Sequence, residues 1–100
     1  MNQSIERARP TIFVGSKPVI AYVVATLMEL SKKHEVTIVA RGRSISKAID
    51  TVQVIRTRYL SGSLRIRRIE FSSEPYPLSD VHPEERFVST VKIILSSGAA

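Results

Sequence analysis

The chain has 100 residues, of which 43% are hydrophobic and 24% charged, a composition that predicts one globular domain and argues against disorder. Cysteine is absent, which excludes disulfides, thiolate metal sites and thiol nucleophiles. No apolar run approaches the roughly 18 residues of a membrane span, and the N-terminus lacks the apolar centre of a signal peptide. We therefore expect a cytoplasmic protein.

The positive charge is concentrated in the middle of the chain. Between Arg41 and Arg68 there are eight cations against Asp50 alone, whereas the rest of the chain has seven cations and eight acids, so the whole excess of +6 lies in this segment. Such a patch indicates a polyanionic partner. Anionic membrane is the competing partner, but the basic residues do not follow one amphipathic helix with exposed aromatic residues. Nucleic acid is the preferred partner.

The first third of the chain predicts a strand followed by a helix. Residues 1–10 are polar and basic and are predicted to be a mobile lead-in to a single domain over residues 11–97. Thr11–Val14 is a short branched and aromatic run that ends at Gly15, which predicts a strand. A helix is expected from Pro18 to about Lys33. Its apolar residues recur at spacings of three and four: Ile20, Val23, Val24, Leu27 and Met28.

The next segment repeats this pattern with a basic turn in the middle. Val36 to Ala40 predicts a strand. A helix is expected to run from Ser44 to about Leu60. Ser44 is placed to cap the helix through its hydroxyl group. The residues predicted to face inward are Ile45, Ile49, Val52 and Ile55.

The last third predicts a hairpin. Leu64–Phe71 alternates and then slips by one residue at Arg67 and Arg68, which predicts a bulge. Residues 74–85 hold three prolines and four acids and are expected to be a loop that phosphate repels. Residues 86–95 form the last strand, with apolar residues on both faces. We expect a partner subunit to cover its second face at Val88 and Ile94.

These elements give an α+β fold, a two-layer βαβαββ sandwich with a mixed four-stranded sheet. The two crossovers predict parallel neighbouring strands, so the turns after the first two strands should meet at one edge of the sheet. Gly15–Lys17 and Arg41–Ser44 would then bring two helix N-termini and three cations together. This arrangement favours phosphate over the alternative that each turn only carries solvated cations.

Three stretches of the chain resemble the Alba family of archaeal chromatin proteins: Val14–Val19, Ala40–Val52 and Val88–Val91. The resemblance implies a fold shared with the C-terminal domain of translation initiation factor three. It also implies a dimer that coats or compacts double-stranded DNA with little sequence preference, a nucleoid location, and RNA as a further ligand. Two departures stand out. Ser16 replaces a lysine that is acetylated in the family, and the usually basic arm loop is acidic here.

The resemblance implies that Lys17, Arg41 and Arg43 face the nucleic acid and that Tyr59 helps to join dimers. Arg41 has the alternative of pairing with Asp50 or Glu35 instead. The full set of predicted nucleic-acid-binding residues is Ser16, Lys17, Arg41, Gly42, Arg43, Lys47, Arg65, Arg67 and Arg86. Arg65 and Arg67 are expected to share a strand face at the base of the arm, with pairing to acids across the strands as the alternative. The predicted contacts within or between dimers are Tyr59, Leu60, Val88 and Ile94.

Other functions have less support in the sequence. The only histidines, His34 and His82, have no metal-ligand spacing, and Gly15-Ser16-Lys17 lacks the first glycine of a phosphate-binding loop, so we predict no enzyme, no metal and no cofactor. An RNA-binding subunit of a ribonucleoprotein remains an alternative, although no strand carries an aromatic pair for stacking splayed bases. A homodimer and a heterodimer with a paralogue both remain open.

Overall fold

The computed structural model describes residues 9–75 and 87–98 of the chain. Within them the elements are β1 (Thr11–Val14), α1 (Val19–Lys33), β2 (Glu35–Arg41), α2 (Ile45–Val54), β3 (Leu64–Pro75) and β4 (Phe87–Ser97). A 3₁₀ turn, Gly42–Ser44, leads into α2, and a π-helical turn, Ile55–Tyr59, extends it. The predicted α+β class and βαβαββ order are confirmed. Neither helix in this part of the chain is long and apolar enough to span a bilayer.

The strand order is β1-β2-β4-β3, so β4 lies between β2 and β3. The strands β1 and β2 are parallel neighbours as expected, with Val14 opposite Ala40. The prediction of parallel neighbours for the second crossover is wrong, because β4 separates β2 from β3 and runs antiparallel to both. Burial explains this position: Ile93 and Ile94 on opposite faces of β4 are only 3% and 7% exposed. A strand that is apolar on both faces is most stable in the middle of the sheet.

Both helices pack on one face of the sheet, which we call the covered face. Its core includes Val36, Ile38 and Leu95, each fully buried. The buried side of α1 carries Tyr22 and Thr26, with Val23 and Leu30. Several side chains with helical apolar spacing are instead about half exposed: Ile20, Val24, Met28 and Ile49. The inward prediction for Ile49 is therefore wrong. The apolar arc of each helix is wider than the strip that contacts the sheet, so periodicity overestimates the buried face.

The predicted bulge in β3 is confirmed. Ile66 lies opposite Leu95 and Arg68 lies opposite Ile94, which leaves Arg67 without a partner on β4. The strand is longer than expected, because Glu74 and Pro75, predicted to begin the loop, still pair with β4. The rest of the predicted acidic loop, residues 76–85, lies outside the described residues.

The end of the predicted lead-in is tied to the sheet. Arg9 Nε donates to Glu35 Oε1 at 3.0 Å, and the backbone N–H of Thr37 donates to the carbonyl of Pro10 at 2.9 Å. These contacts hold residues 9 and 10 against β2, directly before β1 begins at Thr11. Residues 1–8 lie outside the described part of the chain.

Candidate nucleic-acid interface

Two basic turns meet at one edge of the sheet. Because β1 and β2 are parallel, Gly15–Lys17 and Gly42–Ser44 both follow the carboxyl ends of their strands. Lys47 in the first turn of α2 joins them directly, since its Nζ donates to the carbonyls of Gly15 at 3.1 Å and of Lys17 at 2.6 Å. The predicted convergence of the turns is confirmed. We call this surface the basic edge, formed by Ser16, Lys17, Arg41, Gly42, Arg43 and Lys47.

A buried tyrosine holds the first turn from the other side. The Tyr22 hydroxyl accepts hydrogen bonds from the backbone N–H groups of Gly15 at 2.9 Å and Lys17 at 3.0 Å, and the residue is 8% exposed. Burial acts to raise the pKa of Tyr22, but the two N–H donors and the charges of Lys47 and Lys17 outweigh it and lower that pKa below its usual value. Tyr22 therefore fixes the N–H groups of the turn while Lys47 fixes its carbonyls.

These contacts separate positioning from binding. The side chains of Ser16 and Lys17 are exposed. The backbone N–H and carbonyl groups of Lys17 are both hydrogen-bonded, so the backbone of the turn is fixed. Lys47, one of the predicted nucleic-acid-binding residues, uses two of its three N–H donors on carbonyl oxygens. Sequence reasoning missed Tyr22. The available signal was a tyrosine in an otherwise aliphatic helix face, whose hydroxyl must find a partner once it is buried.

The second turn depends on a glycine. Gly42 has φ +55, in the left-handed region that favours glycine, and the chain there turns sharply so that Arg43 is exposed. The predicted capping role of Ser44 is wrong. Its backbone is already helical, at φ −81 and ψ −6, and its side chain makes no capping hydrogen bond. The 3₁₀ turn takes over this role in part, since the N–H of Ile45 donates to the carbonyl of Gly42.

Arg41 has a different neighbour from those considered in the sequence. Its Nη2 lies 3.9 Å from Glu74 Oε1, across β4, with both side chains about half exposed. Among the described residues, Arg41 forms no ion pair with Asp50 or Glu35, and Glu35 pairs with Arg9. An exposed pair at this distance contributes at most about 1 kcal/mol, so Arg41 can exchange it for a phosphate.

Two of the predicted hairpin arginines, Arg65 and Arg67, do not join the basic edge. Arg65 lies opposite Ser96, which in turn lies opposite Glu35 at the amino end of β2. The basic edge is at the other end of that strand. Arg65 and Arg67 are exposed near the start of β3, and the bulge at Arg67 interrupts the alternation that would place both on one strand face. Arg86 lies outside the described residues.

The predicted dimer contacts differ in exposure. Tyr59 is 52% exposed at the end of the π-helical turn, and Leu60 packs partly buried against the core. Val88 is half-buried and its Cγ2 lies within 4 Å of where a Cβ on Gly42 would stand. Ile94 is already buried within the single chain, so the premise that it needs a partner to cover it is wrong.

A larger apolar surface lies on the opposite side of the hairpin. Ile69 and Phe71 lie opposite the core residues Ile93 and Val91, so they share the covered face of the sheet, but Ile69 is still 47% exposed. Phe71 is 75% exposed and Phe87 is 67% exposed. We call this surface the hairpin patch, formed by Ile66, Ile69, Phe71 and Phe87.

The chain is a two-layer sandwich in which two parallel strands end in basic turns that hydrogen bonds hold together. These features define a class of small α+β proteins with a cationic sheet edge. The family model for Alba matches residues 10–73, and the chain belongs to the Alba family. The DNA/RNA-binding protein Alba of Methanocella arvoryzae is 45% identical over 85 residues, which cover 84% of this chain and 85% of that protein. The protein of the same name in Nanoarchaeum equitans is 38% identical over 87 residues, covering 86% of this chain and 96% of that protein.

A solved structure supports the same assignment. Alba from Thermoplasma volcanium has a TM-score of 0.74 and 30% sequence identity, and the match covers 86% of this chain and 98% of that one. The family resemblance drawn from the sequence motifs is therefore confirmed, together with the fold that it implied.

Proposed function

We propose that this chain is a chromatin protein that binds double-stranded DNA with little sequence preference, binds RNA as a second ligand, and associates with the nucleoid. The observation that carries the proposal is the basic edge, where Lys17 and Arg43 stand exposed on two turns that Tyr22 and Lys47 hold together. Relatives named as DNA/RNA-binding proteins support it. Cations on backbone turns contact phosphates, which carry no base identity, and this accounts for the sequence tolerance.

The hairpin patch supports a dimeric form of this function. Two exposed phenylalanines and two isoleucines form an apolar surface of the kind that marks protein interfaces. A second copy of the chain offers the same surface in return, which suits a two-fold contact. The proposed contact lies on the covered face of the hairpin. A paralogue with an equivalent hairpin would form a heterodimer through the same patch.

The salt dependence of duplex binding tests the proposal. Lys17 and Arg43 from each subunit give about four phosphate contacts per dimer, and Arg41 raises this to about six when it leaves Glu74, so the log–log slope should lie between about −4 and −5. Duplex DNA, duplex RNA and single strands are titrated at several salt concentrations. A slope shallower than about −2, or strong preference for one sequence, would contradict sequence-tolerant phosphate binding. Much tighter binding of RNA than of DNA would favour the ribonucleoprotein alternative.

Replacement of Arg43 with alanine locates the binding surface. Two contacts are lost per dimer, so we expect weaker binding to every duplex and a slope flatter by about 1.8. Arg56→Ala is the matched control, because Arg56 is also an exposed arginine but lies on the π-helical turn away from the basic edge. Equal effects of the two replacements would show that only the net charge matters.

A further inference from the structure

The face of the sheet opposite the helices, which we call the open face, carries a groove of about 550 Å³. One row of residues crosses it from strand to strand: Phe13 lies opposite Val39, Val39 opposite Lys92, and Lys92 opposite Glu70. Arg9, Arg68 and the buried Ile94 line the same groove. The proposed dimer leaves this surface accessible, because the hairpin patch lies on the covered face.

Phe13 is the unusual member of this row. It lies within β1 but is 71% exposed, because its ring projects from the open face, on the side of the sheet away from α1 and α2. The ring also lines a second groove of about 310 Å³ at the carboxyl ends of β1 and β2, together with Arg41 and Ser44. Phe13 therefore lies where the open face meets the basic edge. An exposed aromatic ring costs solvation free energy and offers a flat π-surface to a ligand.

The charges on the open face favour an anion. Three acids of the described segments lie on this face, and each pairs with an arginine: Glu35 with Arg9 at 3.0 Å, Glu70 with Arg68 at 2.9 Å and Glu74 with Arg41 at 3.9 Å. Lys92 is exposed beside this network and pairs with no carboxylate in residues 9–75 and 87–98. Once the acids are neutralised, the remaining potential over the groove is positive.

We propose that the open face binds single-stranded nucleic acid. A base stacks on Phe13 above Val39, and the backbone phosphates contact Lys92 on one side and Arg41 on the other. Base stacking on an aromatic side chain tolerates any sequence, and the guanidinium planes of Arg9 and Arg68 provide further surfaces on which bases stack. A duplex cannot use this site, because its bases are already stacked and paired. The sequence contains no aromatic pair on one strand, but the sheet brings one ring and two guanidinium groups to a single surface.

The single-strand site shares Arg41 with the basic edge, but Phe13 and Lys92 lie outside that edge, so their replacement tests this proposal without testing duplex binding. Phe13→Leu keeps an apolar side chain but removes the ring, so we expect the affinity for short oligothymidine and oligouridine to fall between about 5-fold and 100-fold, with duplex affinity unchanged. Phe13→Trp keeps a stacking surface and should restore single-strand binding. Ile20→Ala, another exposed apolar truncation but on α1, should change neither affinity.

The tryptophan variant also gives a direct readout. The chain has no other tryptophan, so fluorescence of Phe13→Trp reports on this position alone, and stacking by a base should quench it. Lys92→Gln should flatten the single-strand salt slope by about 0.7. Single-strand affinity that is equal for phenylalanine, leucine and tryptophan overturns the proposal, as does tryptophan fluorescence that responds to protein concentration but not to oligonucleotide. The fluorescence titration decides the question even if Phe13→Leu folds poorly.

Discussion

Lys47 provides the sharpest test of how the basic edge is built. Lys47→Met retains the length of the apolar stem and removes the ammonium group that donates to the Gly15 and Lys17 carbonyls. A hydrogen bond to a charged group contributes about 1.5–3 kcal/mol when well shielded. One of these two bonds is exposed and the other part-buried, so we expect a combined loss of about 2 kcal/mol. For a domain of this size that corresponds to a fall in Tm of roughly 10 °C.

Thermal or urea denaturation of the free protein measures this loss, and Lys32→Met is the control because Lys32 is an exposed lysine in the last turn of α1. Duplex titrations over salt then separate positioning from direct contact. If Lys47 only positions the turn, affinity falls at every salt concentration while the slope stays the same. If the stability is unchanged and the slope flattens by about 1.8, Lys47 is a phosphate ligand and our interpretation of its two carbonyl bonds is wrong.

Three further predictions concern the dimer, the second turn and pH. Phe71→Asp places a charge in the hairpin patch and should give monomers at micromolar concentration in sedimentation experiments; a persistent dimer would exclude this patch as the interface. Gly42→Ala should destabilise the fold by about 1 kcal/mol in urea, because alanine is strained at φ +55, and an unchanged midpoint would show that the turn relaxes. Folding lowers the pKa of Tyr22, so its phenolate absorbance should appear at lower pH in the folded chain than in the unfolded chain. Comparison with Tyr22→Phe identifies the part of the absorbance that belongs to Tyr22. Because the pKa of Tyr22 is lower in the folded chain, ionisation of this group adds stability only as the pH rises from the folded-state pKa toward the unfolded-state pKa near 10. Tyr22 therefore contributes nothing to the pH dependence of stability around neutrality. Folded and unfolded titrations that coincide would contradict the hydrogen-bonding account.

Much of the basic edge could be predicted from the sequence because its determinants are local. Gly15 and Gly42 interrupt apolar runs, and helical periodicity resumes shortly after each glycine, which is enough to predict two strand-turn-helix units. Parallel strands joined by a helix must end at the same sheet edge, so topology alone predicts that the two turns lie close together. The slip at Arg67 likewise predicted the bulge, since alternation has a period of two residues.

The remaining features depend on contacts between residues distant in the chain. The central place of β4 follows from burying both of its faces, which no local pattern distinguishes from cover by a partner subunit. The roles of Tyr22 and Lys47 require that side chains reach backbone groups 5 to 32 residues away. The exposure of Phe13 depends on which face of β1 the helices cover. Sequence periodicity determines which residues share a face, whereas only tertiary packing decides which face is covered and by which element, because burial is a property of the assembled surfaces.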